Sequence, residues 1–277
     1  MTKKLKVAAA QIYVGNNISK NLERIIKAIN HASANNAEVI VFPECAVTGY
    51  PPFEKQHPLS MDKNAIARAL MEICTAAKKK QINVIVGSIS FKGRNAYNTA
   101  YAINLNGQIT ATYNKVQLVK GADGDEPYFC PGNNFVTFNI KGIKCSMLIC
   151  LDARYPEIYR FLANNKVRVV FQLFYGAGNN CSWKIPVLEG TLRCRAAENG
   201  IFIVASNVSR RQQMVVSRIC DPNGISLANA KYGREEIIFA ELDLNITGGG
   251  FRETQRSDLL KVIPVSNSLL NNKSYLH

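Results

Sequence analysis

Short runs of apolar, β-branched residues alternate along the chain with stretches whose apolar positions recur at helical spacing, the pattern of a layered α/β fold. Lys6 to Ile12 reads as a strand, after which Leu22, Ile25, Ile26 and Ile29 fall at i, i+3, i+4 and i+7 on one helical stripe. Val39 to Phe42 is a continuous apolar run ending at Pro43-Glu44, as a buried strand would; Ile66, Leu70, Ile73 and Ala77 outline the next helix and Asn83 to Ser88 the next strand. Between Tyr97 and Val119 the period changes to two across Leu105-Asn106-Gly107, which predicts a β-hairpin and so antiparallel pairing within a mixed sheet. Gly142 to Ile149 repeats the buried-strand pattern and delivers Cys150, and Pro156 stands near the first position of a helix. Val167 to Phe174 is a strand, Trp183 to Asn199 a helix and Ile201 to Ser206 a strand. Two strand-like segments flank the Asp221-Pro222-Asn223-Gly224 turn, and Glu235 to Leu244 closes the series. With no internal repeat, low-complexity linker or break in composition, one domain is expected over residues 1–277. Its core spans about 5–244, and the tail 245–277 is expected to pack on the core or on a partner subunit.

Composition narrows the function. Lys and Arg number 34 against 20 Asp and Glu, a net charge of +14, which invites a nucleic-acid reading. Apart from Lys78-Lys79-Lys80 and Arg210-Arg211 the bases are scattered, with no zinc-finger spacing or RNA-recognition signature; Lys78 to Lys80 close a helical pattern, where cations suit the helix C-terminus. No nucleic-acid partner is therefore expected. No apolar run approaches the roughly 20 residues of a membrane span, and the start runs straight into a strand, so a cytoplasmic protein without a membrane partner is expected. The eight cysteines have no paired spacing and read as free thiols.

Only three histidines are present: His31 near the end of a helical stripe, His57 in a proline-flanked loop, and His277. A Ser-His-Asp triad, a Cys-His pair and a histidine-based zinc site are disfavoured, and no phosphate loop or dinucleotide fingerprint occurs. No metal and no cofactor is expected. Three polar residues instead arrive directly after strand-like runs, where α/β folds collect ligands: Glu44, Lys115 and Cys150. A cysteine without histidine needs another activator. A neighbouring ammonium or a helix start lowers a thiol's pKa and a carboxylate accepts its proton, and Lys115, Pro156 and Glu44 offer these. Taken singly, each has a plain reading: buried Cys150 as a small hydrophobe, Glu44 as a cap or solvated acid, Lys115 as a surface ammonium.

The segments Phe42-Pro43-Glu44, Tyr113-Asn114-Lys115-Val116 and Cys150-Leu151-Asp152-Ala153-Arg154-Tyr155-Pro156-Glu157 resemble, in order and spacing, the three catalytic blocks of the nitrilase, or carbon-nitrogen hydrolase, superfamily. Thr48-Gly49-Tyr50-Pro51, Tyr128-Phe129-Cys130-Pro131-Gly132, Arg195-Ala196-Ala197-Glu198-Asn199 and Asp221-Pro222-Asn223-Gly224 resemble further signatures, so the likeness covers about residues 5 to 244. The resemblance implies a four-layer α-β-β-α sandwich with two mixed central sheets, and a homodimer or higher homo-oligomer. It implies Cys150 as nucleophile, Glu44 as general base and Lys115 as stabiliser of the tetrahedral intermediate, with the backbone N–H of Leu151 completing the oxyanion site. A second acid is expected before Tyr128-Phe129. Glu126 is the choice here, on the wording Gly124-Asp125-Glu126, although gap-free comparison would select Asp125. Tyr50, Phe174 and Trp183 are candidates for shaping the pocket, Trp183 equally for anchoring its helix; Cys45, Cys145 and Cys194 read as packing. Cys150 is followed by Leu151-Asp152 and not the Glu-Asn pair usual in nitrilases, which resembles the amidase-like branch. The implied activity is hydrolysis of a small linear amide or N-carbamoyl compound through a cysteine thioester. A nitrile hydrolase and a catalytically silent scaffold relative are the alternatives.

Overall fold

The structure, a computed structural model, describes residues 4–121, 124–178 and 183–249. In chain order the elements are β1 (Lys4–Gln11), α1 (Ile18–Ala34), β2 (Val39–Val41), α2 (Pro51–Glu54), α3 (Lys63–Lys80), β3 (Asn83–Lys92), β4 (Asn95–Ile103), β5 (Ile109–Asn114), β6 (Thr137–Ile140), β7 (Ile143–Ile149), α4 (Pro156–Asn164), β8 (Val169–Leu173), α5 (Lys184–Asn199), β9 (Phe202–Ser206), β10 (Arg218–Cys220), β11 (Ser226–Asn229) and β12 (Glu236–Asp243). Local chemistry sets several boundaries. The side chains of Asn17 and Asp62 accept the backbone N–H groups of Lys20 and Ala65 and so cap α1 and α3. Lys78 to Lys80 occupy the last turn of α3, and Pro156 opens α4.

Two six-stranded mixed sheets form, in the orders β12-β1-β2-β3-β4-β5 and β11-β10-β9-β8-β7-β6. In β1, Val7 and Ala9 join the apolar mass shared with the second sheet, whereas Ala8 and Ala10 join the layer containing Ile25, Ile29 and Ile73 of α1 and α3. Both faces of the strand are thus buried, which is why it reads as an unbroken apolar run. Leu162 of α4 and Leu192 of α5 complete the apolar mass on the second sheet, giving helix, sheet, sheet, helix.

The predicted strands and helices all form, with two additions that were not foreseen: the single-turn helix α2, and β6, an edge strand paired antiparallel to β7. β3 also runs past Ser88 to Lys92, because its antiparallel pairing with β4 continues to Lys92 opposite Asn95. Of the expected tail, residues 250–277 lie outside the described residues. Its first residues lie on the core, where the Arg168 guanidinium donates to the carbonyl oxygens of Leu244 and Ile246.

Candidate active site

Three strand ends converge where the two sheets meet. After β2, which is parallel to both β1 and β3, the chain folds back over β3. There Phe42 N–H donates to Ile85 O and Val47 N–H to Gly87 O. A Cβ at Gly87 would lie 2.4 Å from Pro43 O and 2.6 Å from Cys45 N, so glycine is what lets the Pro43–Cys45 segment, with Glu44 at its centre, lie this close. Lys115 follows β5, its N–H bonded to Asn98 O and its carbonyl accepting Gly132 N–H. Cys150 follows β7, and the parallel neighbour β8 delivers Phe174 and Tyr175 beside it.

The side chains meet in a fully buried ion cluster. Lys115 Nζ donates to Glu44 Oε1 at 2.9 Å and to Asp125 Oδ2 at 2.7 Å. Glu44 Oε1 also accepts from Asn98 Nδ2 at 2.7 Å, and its Oε2 accepts from Tyr175 N–H at 2.8 Å. Asp125 Oδ1 accepts from Tyr50 OH at 2.7 Å and Oδ2 also from Val119 N–H at 2.9 Å. The Tyr50 ring stacks on that of Tyr175, centroids 5.1 Å apart. An ammonium has three N–H donors, and these two carboxylates take two of them.

Cys150 opens a short 3₁₀ turn, Cys150–Arg154, with φ of 45°. A non-glycine residue in the left-handed region costs on the order of 1–3 kcal/mol and persists only where its surroundings enforce it. Asp152 does the enforcing. Buried in the turn, its carboxylate accepts from Ile149 N–H at 2.9 Å, from Tyr113 OH on β5 at 2.8 Å and from Gln117 N–H at 3.0 Å. It therefore ties the cysteine's turn to the segment that carries Lys115. Cys45, beside Glu44, is likewise left-handed at 49°.

The sequence profile of carbon-nitrogen hydrolases matches residues 6–249. The chain belongs to the carbon-nitrogen hydrolase family. It is 32% identical over 235 residues to the 2-oxoglutaramate amidase of Bacillus subtilis, covering 82% of this chain and 85% of that protein. It is 28% identical over 246 residues to the deaminated glutathione amidase of Synechocystis sp., covering 80% and 86%. Among solved structures, a mutant form of the amidase from Nesterenkonia sp. AN1 superposes with a TM-score of 0.79 at 22% identity, covering 93% of this chain and 95% of that one; that mutant carries the acetamide moiety of fluoroacetamide added at its active-site cysteine. The nitrilase-superfamily fold expected from the resemblance is the fold observed.

Within this hydrolase, Cys150, Leu151, Tyr50 and Phe174 line one cavity of about 310 Å³, together with Arg154 and Lys184. That is room for a small substrate. Trp183 is exposed at the start of α5 and does not line the cavity. Cys45 and Cys145 are buried, Cys145 in β7 with its thiol toward Ile143 O, while Cys194 is exposed on α5. Among the described residues no cluster of His, Cys, Asp and Glu is suited to a metal, and no helix is long and apolar enough to cross a membrane.

Two expectations need correction. The acid beside Lys115 is Asp125; Glu126 is exposed and lines shallow surface grooves with Phe129. The loop closes on itself through Asp125, whose N–H bonds Val119 O and whose carbonyl accepts Tyr128 and Phe129 N–H, so the backbone carries the shorter acid inward. The second concerns the thiol. Burial first, then the Glu44 and Asp125 charges, push the Cys150 thiol well above its usual value, and Lys115 only partly opposes them. One ammonium between two carboxylates leaves the cluster with net charge −1, so the resting sulfur keeps its proton. Lys115 loses by burial, but the charges of Glu44 and Asp125 outweigh that and hold it charged. Asn98 and Asp152 were not singled out as site residues from sequence. Asn98 lay unmarked within the hairpin, whereas the placing of Asp152 two residues after Cys150 was a usable signal.

Proposed function

We propose that this hydrolase is an amidase that cleaves the carbon-nitrogen bond of a small linear amide through a thioester on Cys150. The observation that carries the reading is the seating of Cys150 in the cavity beside the buried Glu44–Lys115–Asp125 cluster. The Cys150 sulfur attacks the amide carbon while its proton passes to Glu44. The oxygen takes up the negative charge, facing the third N–H of Lys115 and the backbone N–H of Leu151; such a donor is worth roughly 3–4 kcal/mol. Glu44 hands the proton to the departing nitrogen as the C–N bond breaks and the thioester forms. Water then attacks the thioester carbon, giving its proton to Glu44, and the C–S bond breaks as the thiol is restored.

The acyl portion of the substrate carries a carboxylate. Among the described residues Arg154 and Lys184 line the cavity, no acid lines it, and no carboxylate pairs with either cation. 2-Oxoglutaramate, for which the Bacillus subtilis relative is named, is an amide of this kind. The protein is read as a homodimer, supported by Tyr155 before α4, Phe161 on α4 and Val187 on α5, all exposed; light scattering that finds a monomer overturns this. For the activity, ammonia release is measured from an ω-amide bearing a terminal carboxylate and from its neutral isostere. The carboxylated amide is expected to be preferred at least tenfold, and Arg154→Gln or Lys184→Gln to raise its KM about 10- to 100-fold, since a hydrogen bond to charge is worth about 1.5–3 kcal/mol. No release from any amide, or preference for the isostere, would overturn the corresponding part of the reading.

A further inference from the structure

A carboxylate offers about four lone-pair positions, two on each oxygen. In Glu44 three are taken by the protein. Oε1 holds two donors, Lys115 Nζ at 2.9 Å and Asn98 Nδ2 at 2.7 Å, whereas Oε2 holds one, Tyr175 N–H at 2.8 Å. A single position, on Oε2, is left for a mobile proton. We infer that Asn98 is a positioning residue: by occupying Oε1 it confines the proton carried during amide hydrolysis to Oε2 of Glu44.

The setting of Asn98 permits little else. It is buried on β4, its backbone carbonyl accepts Lys115 N–H at 2.9 Å, and its side-chain Oδ1 faces the Cys45 thiol at 3.6 Å. With Oδ1 turned to a donor, Nδ2 must point at Glu44; the reversed amide would set a carbonyl oxygen against the carboxylate. The ionisable groups around Glu44 are Lys115, Asp125, Cys150, Tyr50 and Cys45. Among the described residues Asn98 is the neutral side chain that donates to this carboxylate, beside the charged Lys115, so it holds the carboxylate's orientation and its charged form without adding a charge to the set.

The inference rests on Glu44 being the proton carrier of the amidase reading, and the test separates the two. The pH dependence of kcat/KM for amide hydrolysis is measured in the wild type, in Asn98→Asp and in Asn98→Ala, with thermal melts to confirm folding. Asn98→Asp places a second carboxylate against Oε1, and the acid limb is expected to move up by about one pH unit or more. Asn98→Ala removes the donor only, and its acid limb is expected to move up by less. Both are expected to lose about tenfold in kcat with KM changed less than about threefold, because the substrate cavity is untouched. If Asn98→Asp does not fold, Asn98→Ala decides alone. A wild type that hydrolyses amides while the folded variants keep its acid limb within about 0.3 pH units overturns the inference and leaves the amidase reading intact. A wild type that hydrolyses no amide overturns both.

Discussion

Replacing Glu44 by Gln should move two properties of Cys150 in opposite directions. The cluster of Glu44, Asp125 and Lys115 carries net charge −1, and the Glu44 charge is the largest electrostatic reason the thiol holds its proton, second only to burial. Glu44→Gln makes the cluster neutral. A charge at this range shifts a neighbouring group by about one to three pH units, so at neutral pH the thiolate fraction rises about 10- to 1,000-fold. A thiolate of lower pKa is a poorer nucleophile, with sensitivity of about 0.4–0.5, which leaves a net gain of about 3- to 60-fold in reaction with a simple alkylating agent. Amide hydrolysis, by contrast, loses its proton carrier and should fall by about 10²–10⁴. The new amide sets its NH₂ against Tyr175 N–H or Lys115, a clash of about 1–3 kcal/mol that a thermal melt would register. The assay is the rate of carbamidomethylation of Cys150 by iodoacetamide at pH 7, followed by intact mass and peptide mapping, beside ammonia release from an amide. If the variant alkylates more slowly than the wild type, the charge reasoning is refuted, because Glu44 would then be drawing the proton from the resting thiol instead of helping to retain it.

Other consequences are equally direct. Asp125→Asn should reduce kcat/KM at least tenfold and Glu126→Gln should stay within about twofold, since the first carboxylate holds Lys115 and the second is exposed. Lys115→Met leaves two buried carboxylates unpaired and should cost about 3–5 kcal/mol, lowering Tm by of the order of 10 °C. Burial pushes the Asp152 carboxyl up to about 6, although the Ile149 N–H, Lys115, Tyr113 and Gln117 pull the other way. A raised carboxyl binds more protons folded than unfolded between about pH 4 and 6, so it contributes stability at the acid end that is lost as the pH rises. The unfolding free energy of the wild type minus that of Asp152→Asn, measured by denaturant titration, should fall across this window; a flat or rising difference contradicts the assignment.

Much of this was legible from pattern alone, for reasons that particular residues make plain. Val39 to Phe42 and Gly142 to Ile149 announce themselves because strands buried on both faces must be apolar throughout. β6 escaped because Thr137–Ile140 is four residues long, alternates between exposed and buried, and lies on a sheet edge. Glu44, Lys115 and Cys150 could be placed at strand ends, but bringing them together depends on how one sheet packs on the other, which no local period encodes; only the resemblance of their flanking blocks linked them. The choice between Asp125 and Glu126 turned on a loop that closes through backbone bonds to Val119, and adjacent acids in a glycine-containing segment give no sign of which faces inward. The thiol's direction was misjudged because sequence shows one lysine near one glutamate and conceals the third charge. Asn98 was invisible for a related reason, since a buried amide on a strand differs from an exposed one only in what lies across from it.

The central claim is that the sulfur of Cys150 forms a thioester with the acyl part of an amide. Rapid acid quench of wild-type protein during turnover of a small carboxylated amide, followed by mass measurement of the peptide containing Cys150, should find that peptide heavier by the acyl group, with neither adduct nor ammonia release in Cys150→Ala. Ammonia release that persists in a folded Cys150→Ala protein, with no acyl group ever found on Cys150 in the wild type, would contradict the account.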